Sequence, residues 1–266
     1  MISLGPIPGG SPDPGALREP PVSGPVLFAR YAFGPNRLGY CGPDAVAELF
    51  GESTSRAADE RALRELARGF DGAWPYLELI ATANGLADPL DRRVVEAYWL
   101  GNDLLRRVSP RAMAESLSTR FQKRARNGEW PWLIGSVELG AVPVHVFHVL
   151  DVFPRVGLLR GGQVDGVLQA MDSCRIRWGR VLERIGDRLV VEAKPLEMRE
   201  GRLTLGPPRA ESVEAWQAGS GFVEGVGPDD VVSIHWSWAC DRLTSSQLVG
   251  LEAWTRRQLE VANAAI

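Results

Sequence analysis

The sequence is short of the side chains that carry most enzyme chemistry. Its 266 residues include three cysteines, three histidines and four tyrosines. Lysine occurs only as Lys123 and Lys194, so almost all positive charge is arginine, a bias read as GC-rich codon usage. Cys41, Cys174 and Cys240 are too few, and odd in number, for a disulfide framework; such a set suits a reducing compartment, and a cytoplasmic location is expected. The first residues lack a basic segment and an apolar run, so no signal peptide is expected. No uncharged apolar stretch of about 18 residues occurs, so no membrane partner is expected. A net charge of -3 argues against a nucleic-acid partner, which selects for a positive excess. Gly157 to Gly162 has neither a Walker lysine nor GxGxxG spacing, so no nucleotide loop is read there.

What is present is ordinary for a globular chain: 45% hydrophobic and 24% charged residues, with nine tryptophans. The expected fold class is α+β, in two domains. Residues 1–25 read as a disordered Gly/Pro-rich arm. Residues 26–165 read as a mainly helical domain. Apolar residues recur at helical intervals over 61–70, 74–83, 91–108 and 110–126, with Asp91 as an N-cap. Within this domain the Val-rich run Val142 to Leu150 reads as extended, giving a short β segment near 142–160. From residue 170 the texture becomes short strands with tight turns. A terminal helix follows, from a cap at Thr244 to about Asn263. Residues 170–266 therefore read as a small closed β-barrel with a C-terminal helix.

An ordered series of patches supports that barrel. Cys174 is followed by Gly179 and Val181. Asp187 to Val191 form a hairpin return, and Gly227 to Asp230 a turn. Val232-Ser233-Ile234-His235-Trp236-Ser237-Trp238-Ala239 precedes Leu243 and the terminal helix. This series, over about residues 172–260, resembles the hydrogenase formation chaperones of the HypC/HupF family. The resemblance implies an OB-like barrel and an accessory role in nickel–iron hydrogenase maturation. It further implies that Cys174 carries an iron bearing cyanide and carbon monoxide, and that the partners are hydrogenase maturation proteins or the hydrogenase large subunit. In that family the cysteine follows the initiator methionine, whereas Cys174 is internal, and Trp178 replaces a usual proline. As a whole the chain also resembles an uncharacterised, chiefly actinobacterial family sharing its YCGP, DxCRIRWG and HWxWxCDRL patches.

Two candidate sites follow. The first is a metal site of Cys174 and His235. Thiolate is a soft ligand, and Arg175 and Arg177 stand where they would favour the thiolate. On a strand, His235 shares a face with Ser233 and Ser237, with Trp236 and Trp238 opposite. The plainer reading makes Cys174 a buried residue at a strand start and His235 a structural histidine. The second site is catalytic: Cys41, in a Gly-Tyr-Cys-Gly-Pro turn before a helix, with His145 or His148 as base. A cysteine-dependent enzyme and a non-catalytic assembly scaffold thus remain beside the chaperone reading. Whether the chain is an enzyme stays open, with the balance toward not. Cys240 reads as structural.

Overall fold

The computed structural model describes residues 21–55, 57–123, 129–153 and 164–264. The helix α1 (Gly24–Arg37) starts with Pro25 in its first turn, where a missing N–H costs nothing. It is buried along its length except at Arg30 and Arg37. A helix apolar on all sides belongs in a core. The next helices wrap it: α2 (Val46–Thr54), α3 (Glu60–Arg68), α4 (Trp74–Ala83) and α5 (Arg92–Trp99). Several of their starts are written in the sequence. Asp59 accepts from the Arg61 and Ala62 amides, and Asp91 from the Arg93 amide. The helical pattern expected through residue 108 breaks at Gly101, whose φ is +85° and which leads into a 3₁₀ turn at Asp103–Arg107. Then come α6 (Pro110–Phe121), capped by Ser109, and α7 (Glu129–Glu138).

The segment read as extended near 142–160 is helical where it is described. The short helix α8 (His145–Phe147) widens into a π-helical turn over His148–Val152; residues 154–160 lie outside the described residues. Val144, Val146, Phe147, Val149, Leu150 and Val152 are all buried among the other helices. A run apolar on every side suits a central helix as well as a strand, and packing overrode the β-branched preference. Of the expected arm, residues 1–20 also lie outside the description, while Gly24 and Pro25 already belong to α1.

The helix α9 (Val164–Cys174) ends on Cys174 and leads into the sheet. Cys174 is thus the last residue of a helix, not the first of a strand. Strand β1 (Arg177–Ile185) turns at Gly186 into β2 (Arg188–Ala193). A side hairpin of β3 (Leu196–Arg199) and β4 (Arg202–Leu205) leads to β5 (Arg209–Glu214). A second small hairpin, β6 (Trp216–Gln217) with β7 (Ser220–Gly221), precedes β8 (Val231–His235) and β9 (Trp238–Arg242). The main sheet runs β1-β2-β5-β9-β8, and β8 pairs back to β1, so it closes. The β5–β9 link is a single parallel pair, Glu214 with Trp238. Inside lie Val181, Leu189, Val191, Val213, Val232 and Ile234. Gly179 is required here: a Cβ would stand 2.9 Å from side-chain atoms of Val191.

The last helix, α10 (Ser245–Ala264), begins with a capping box. Thr244 Oγ1 accepts from the Gln247 amide, and the Gln247 side chain accepts from the Thr244 amide. The main apolar cluster runs from the helices into Trp238, Cys240, Leu251 and Trp254. Bonds across the same boundary include Tyr31 with Ser233 (2.9 Å) and a two-pronged Arg37–Glu214 pair (2.7 and 2.8 Å). The fold is therefore α+β, with helices packed on a closed five-stranded sheet and a terminal helix.

Candidate metal centre

Three elements meet where α1 crosses the β8–β9 turn. His145 opens α8, Cys174 closes α9 and His235 closes β8. One ligand-capable atom of each lies within 4.8 Å of the others. The Cys174 Sγ to His145 Nε2 distance is 4.0 Å. The pairing of β1 with β8 brings the approach to Cys174 beside His235. The Trp236 amide also donates to the Ser173 carbonyl at 2.9 Å, tying the turn to the end of α9.

Hydrogen bonds fix the tautomers. His235 Nδ1–H donates to the Tyr31 carbonyl at 2.7 Å, so its Nε2 carries the lone pair. That Nε2 is buried without a well-formed hydrogen bond, and the Cys174 backbone also acts on this ring. The His235 residue is 1% exposed. A buried acceptor left unmatched costs about 1–3 kcal/mol. A metal-binding histidine characteristically donates its other N–H to a backbone carbonyl in this way. His145 Nε2–H donates to the Cys174 carbonyl at 2.8 Å, and its Nδ1 accepts from the Tyr98 hydroxyl at 3.2 Å. A phenol donates or accepts equally well. Tyr98 can therefore take the proton bond from Nδ1 when Nε2 is needed as a ligand.

The walls are aromatic. Trp99 lies 4.7 Å from the His145 ring and 5.6 Å from the His235 ring, and stacks on Tyr31 at 5.5 Å. The low polarity holds the site neutral. Burial drives His145 down to about 4 against a slight pull from the Cys174 carbonyl, and drives His235 well below the usual imidazole range. Burial pushes the Cys174 thiol up to about 12; Cys41 raises it further, and the Trp236 indole beside it works the other way. The arginines expected to favour a thiolate are engaged elsewhere. Arg175 binds Asp172 (2.8 Å) and the Lys194 carbonyl (2.6 Å), and Arg177 binds Glu211 (2.5 Å). A divalent ion would displace the thiol proton as it bound. Two imidazoles and one thiolate suit zinc, ferrous iron or copper rather than calcium or magnesium.

The structure thus redistributes the two expected sites. His145 joins Cys174 and His235 in one cluster, its Nε2 turned to the Cys174 carbonyl. His148 turns away on the π-helical turn and meets the Tyr76 hydroxyl at 3.3 Å. Cys41 is exposed on a loop that precedes α2 by several residues, so no helix N-terminus activates its thiol. Trp236 and Trp238 do not share a strand face. Trp236 and Ser237, at φ +47° and +61°, form the turn itself, and Trp238 is buried against Phe33 at 4.8 Å. Two consecutive non-glycine residues in the left-handed region are strained, a condition that clusters at functional sites. Cys240 is buried, its thiol 3.4 Å from the Trp238 carbonyl.

These features define an α+β protein with a buried cluster of groups able to hold a metal ion. The chain matches the family of unknown function DUF6390 over residues 20–266, and it belongs to that family. No curated protein and no solved structure matches it. No helix among the described residues is long and apolar enough to cross a membrane.

Proposed function

We propose that the protein is a metal-carrying accessory protein, a HypC-like chaperone in nickel–iron hydrogenase maturation. Its cargo is iron with cyanide and carbon monoxide ligands, held by Cys174 with His145 and His235. One observation carries the reading: His145, Cys174 and the fully buried His235 converge, with one ligand-capable atom of each within 4.8 Å of the others. The resemblance of residues 172–260 supplies the cargo and the partners, namely maturation proteins or the hydrogenase large subunit. The closed sheet with its terminal helix is compatible with an OB-like barrel of that type. Cys174 is internal, so no free amino group stands beside it; on this reading His145 and His235 take the places a terminal amine would leave open. Anaerobic co-expression with hydrogenase maturation proteins should give cyanide and carbonyl infrared bands on the purified protein, and Cys174→Ala should remove them. Bands that persist in Cys174→Ala would overturn the role of that thiol. Metal analysis showing no transition metal on anaerobically purified protein would overturn the carrier role.

A further inference from the structure

The loop Leu38–Pro43 meets the turn that follows His235 through Tyr40 and Trp236, and its geometry is built rather than casual. The Asn36 side chain donates to the Cys41 carbonyl (2.9 Å) and to the Pro43 carbonyl (2.6 Å), clamping both ends of the turn. Gly39 and Gly42 flank it at φ +73° and +82°, a conformation that side chains resist. A Cβ at Gly42 would also collide with the Phe70 ring, whereas one at Gly39 would meet nothing. Tyr40 is 56% exposed, yet its ring stacks on Trp236 at 4.2 Å and 20°. Trp236 follows His235 directly and lies against the Cys174 thiol. The Trp236 amide donates to the Ser173 carbonyl at 2.9 Å, so the Tyr40 stack sets the residue next to Cys41 on the same side as Cys174 and His235. The charge of Cys41 acts on Cys174 and Tyr98 accordingly.

Three protein ligands leave a bare divalent ion, one without diatomic ligands of its own, one tetrahedral position short. We propose that Cys41 is the fourth ligand, brought in by a small movement of the loop between Gly39 and Gly42, and that Tyr40 on Trp236 is the latch that holds it there. This inference rests on the three-residue centre proposed above. It makes the site asymmetric. Cys174, His145 and His235 are buried anchors, and Cys41 is the ligand that faces outward. Release then runs by ligand exchange with an acceptor that presents a thiolate. The incoming thiolate bonds to the metal, Cys41 leaves as thiolate and takes a proton from water, and the oxidation state of the metal does not change.

Cobalt(II) alone is the probe, added to the full chain under reducing, anaerobic conditions. Two thiolates in the wild-type centre should give a thiolate-to-cobalt absorption band that halves in Cys41→Ser at unchanged cobalt stoichiometry, with faster loss of cobalt to EDTA. Tyr40→Ala keeps both thiolates, so its band should match the wild type. Loss of one ring stack should speed its release roughly two- to tenfold. Equal bands and equal release in wild type and Cys41→Ser overturn the fourth ligand and leave the three-residue centre standing. A wild-type chain that takes up no cobalt overturns the centre and this inference together. Tyr40→Ala that releases cobalt at the wild-type rate removes the latch.

Discussion

Acidification is a direct test of how the candidate centre is buried, because all three histidines of the chain are held neutral. His145 falls from its ordinary 6.5 to about 4. Between those values the unfolded chain binds a proton that the folded chain refuses, so stability is lost as pH falls. From pH 7.5 to 4.5 that single group removes about 2.5 kcal/mol. His235, lowered by burial and by His145, and His148, lowered by burial and by Arg120, act in the same direction. Asp241 opposes them. Burial raises its carboxyl from 3.8 to about 6, so below pH 6 the folded chain binds the extra proton and gains about 2 kcal/mol by pH 4.5. The loss from His145 alone exceeds the gain from Asp241, and His235 and His148 add to it, so acid lowers stability overall. Urea unfolding followed by tryptophan fluorescence should therefore show the midpoint falling steadily below pH 6.5. In parallel, the three histidine ring-proton NMR signals should show no titration above pH 5. Constant stability between pH 7.5 and 5, or any histidine titrating near 6.5 in the folded protein, would refute buried neutral imidazoles.

Further outcomes follow from neighbouring contacts. Asp241→Asn removes the opposing carboxyl, so the same urea series should fall more steeply with acid; an unchanged slope would remove Asp241 from the balance. Gly34→Ala would place a Cβ 2.5 Å from the His235 carbonyl oxygen, a backbone atom that cannot swing away. It should cost about 1–3 kcal/mol and weaken cobalt binding by about tenfold or more, read by competition titration. Wild-type affinity there would mean that α1 does not set the centre. Trp238→Ala empties a fully buried site between Phe33, Phe50 and Phe222, under the Arg37 guanidinium at 5.1 Å. A loss of about 3–5 kcal/mol, or roughly 10 °C in Tm, should appear by calorimetry.

The local signals in the sequence carried well where a side chain bonds its own neighbourhood. Asp91 and Thr244 cap the helices expected of them, because an N-cap needs only residues two or three further on. The segment 142–153 misled because valine composition reports a liking for half-buried surfaces and not the direction in which the chain turns. Cys174 and His235 were legible as a pair through one ordered series of patches. His145 was not assigned to them, although it binds the Cys174 carbonyl, because that bond joins residues 29 apart through the packing of two helices. The left-handed pair Trp236–Ser237 carried no glycine to announce the turn, so strand alternation was read straight through it. Its neighbourhood to Tyr40 depends on α1 and lies beyond any local pattern.

The enclosure of α1 has a consequence for how the molecule comes into being. Its partners Ser233, His235 and Trp238 are made some 200 residues after it, as the Tyr31–Ser233 and His235–Tyr31 separations record. On a ribosome adding about 5–20 residues per second, the helix waits for ten seconds or more without the surface that covers it. Contacts of such long range also slow folding in free solution. The candidate cluster sits at this last-made seam, so its three residues come together only when the chain is nearly whole. The first of the described helices is thus among the last to find its place.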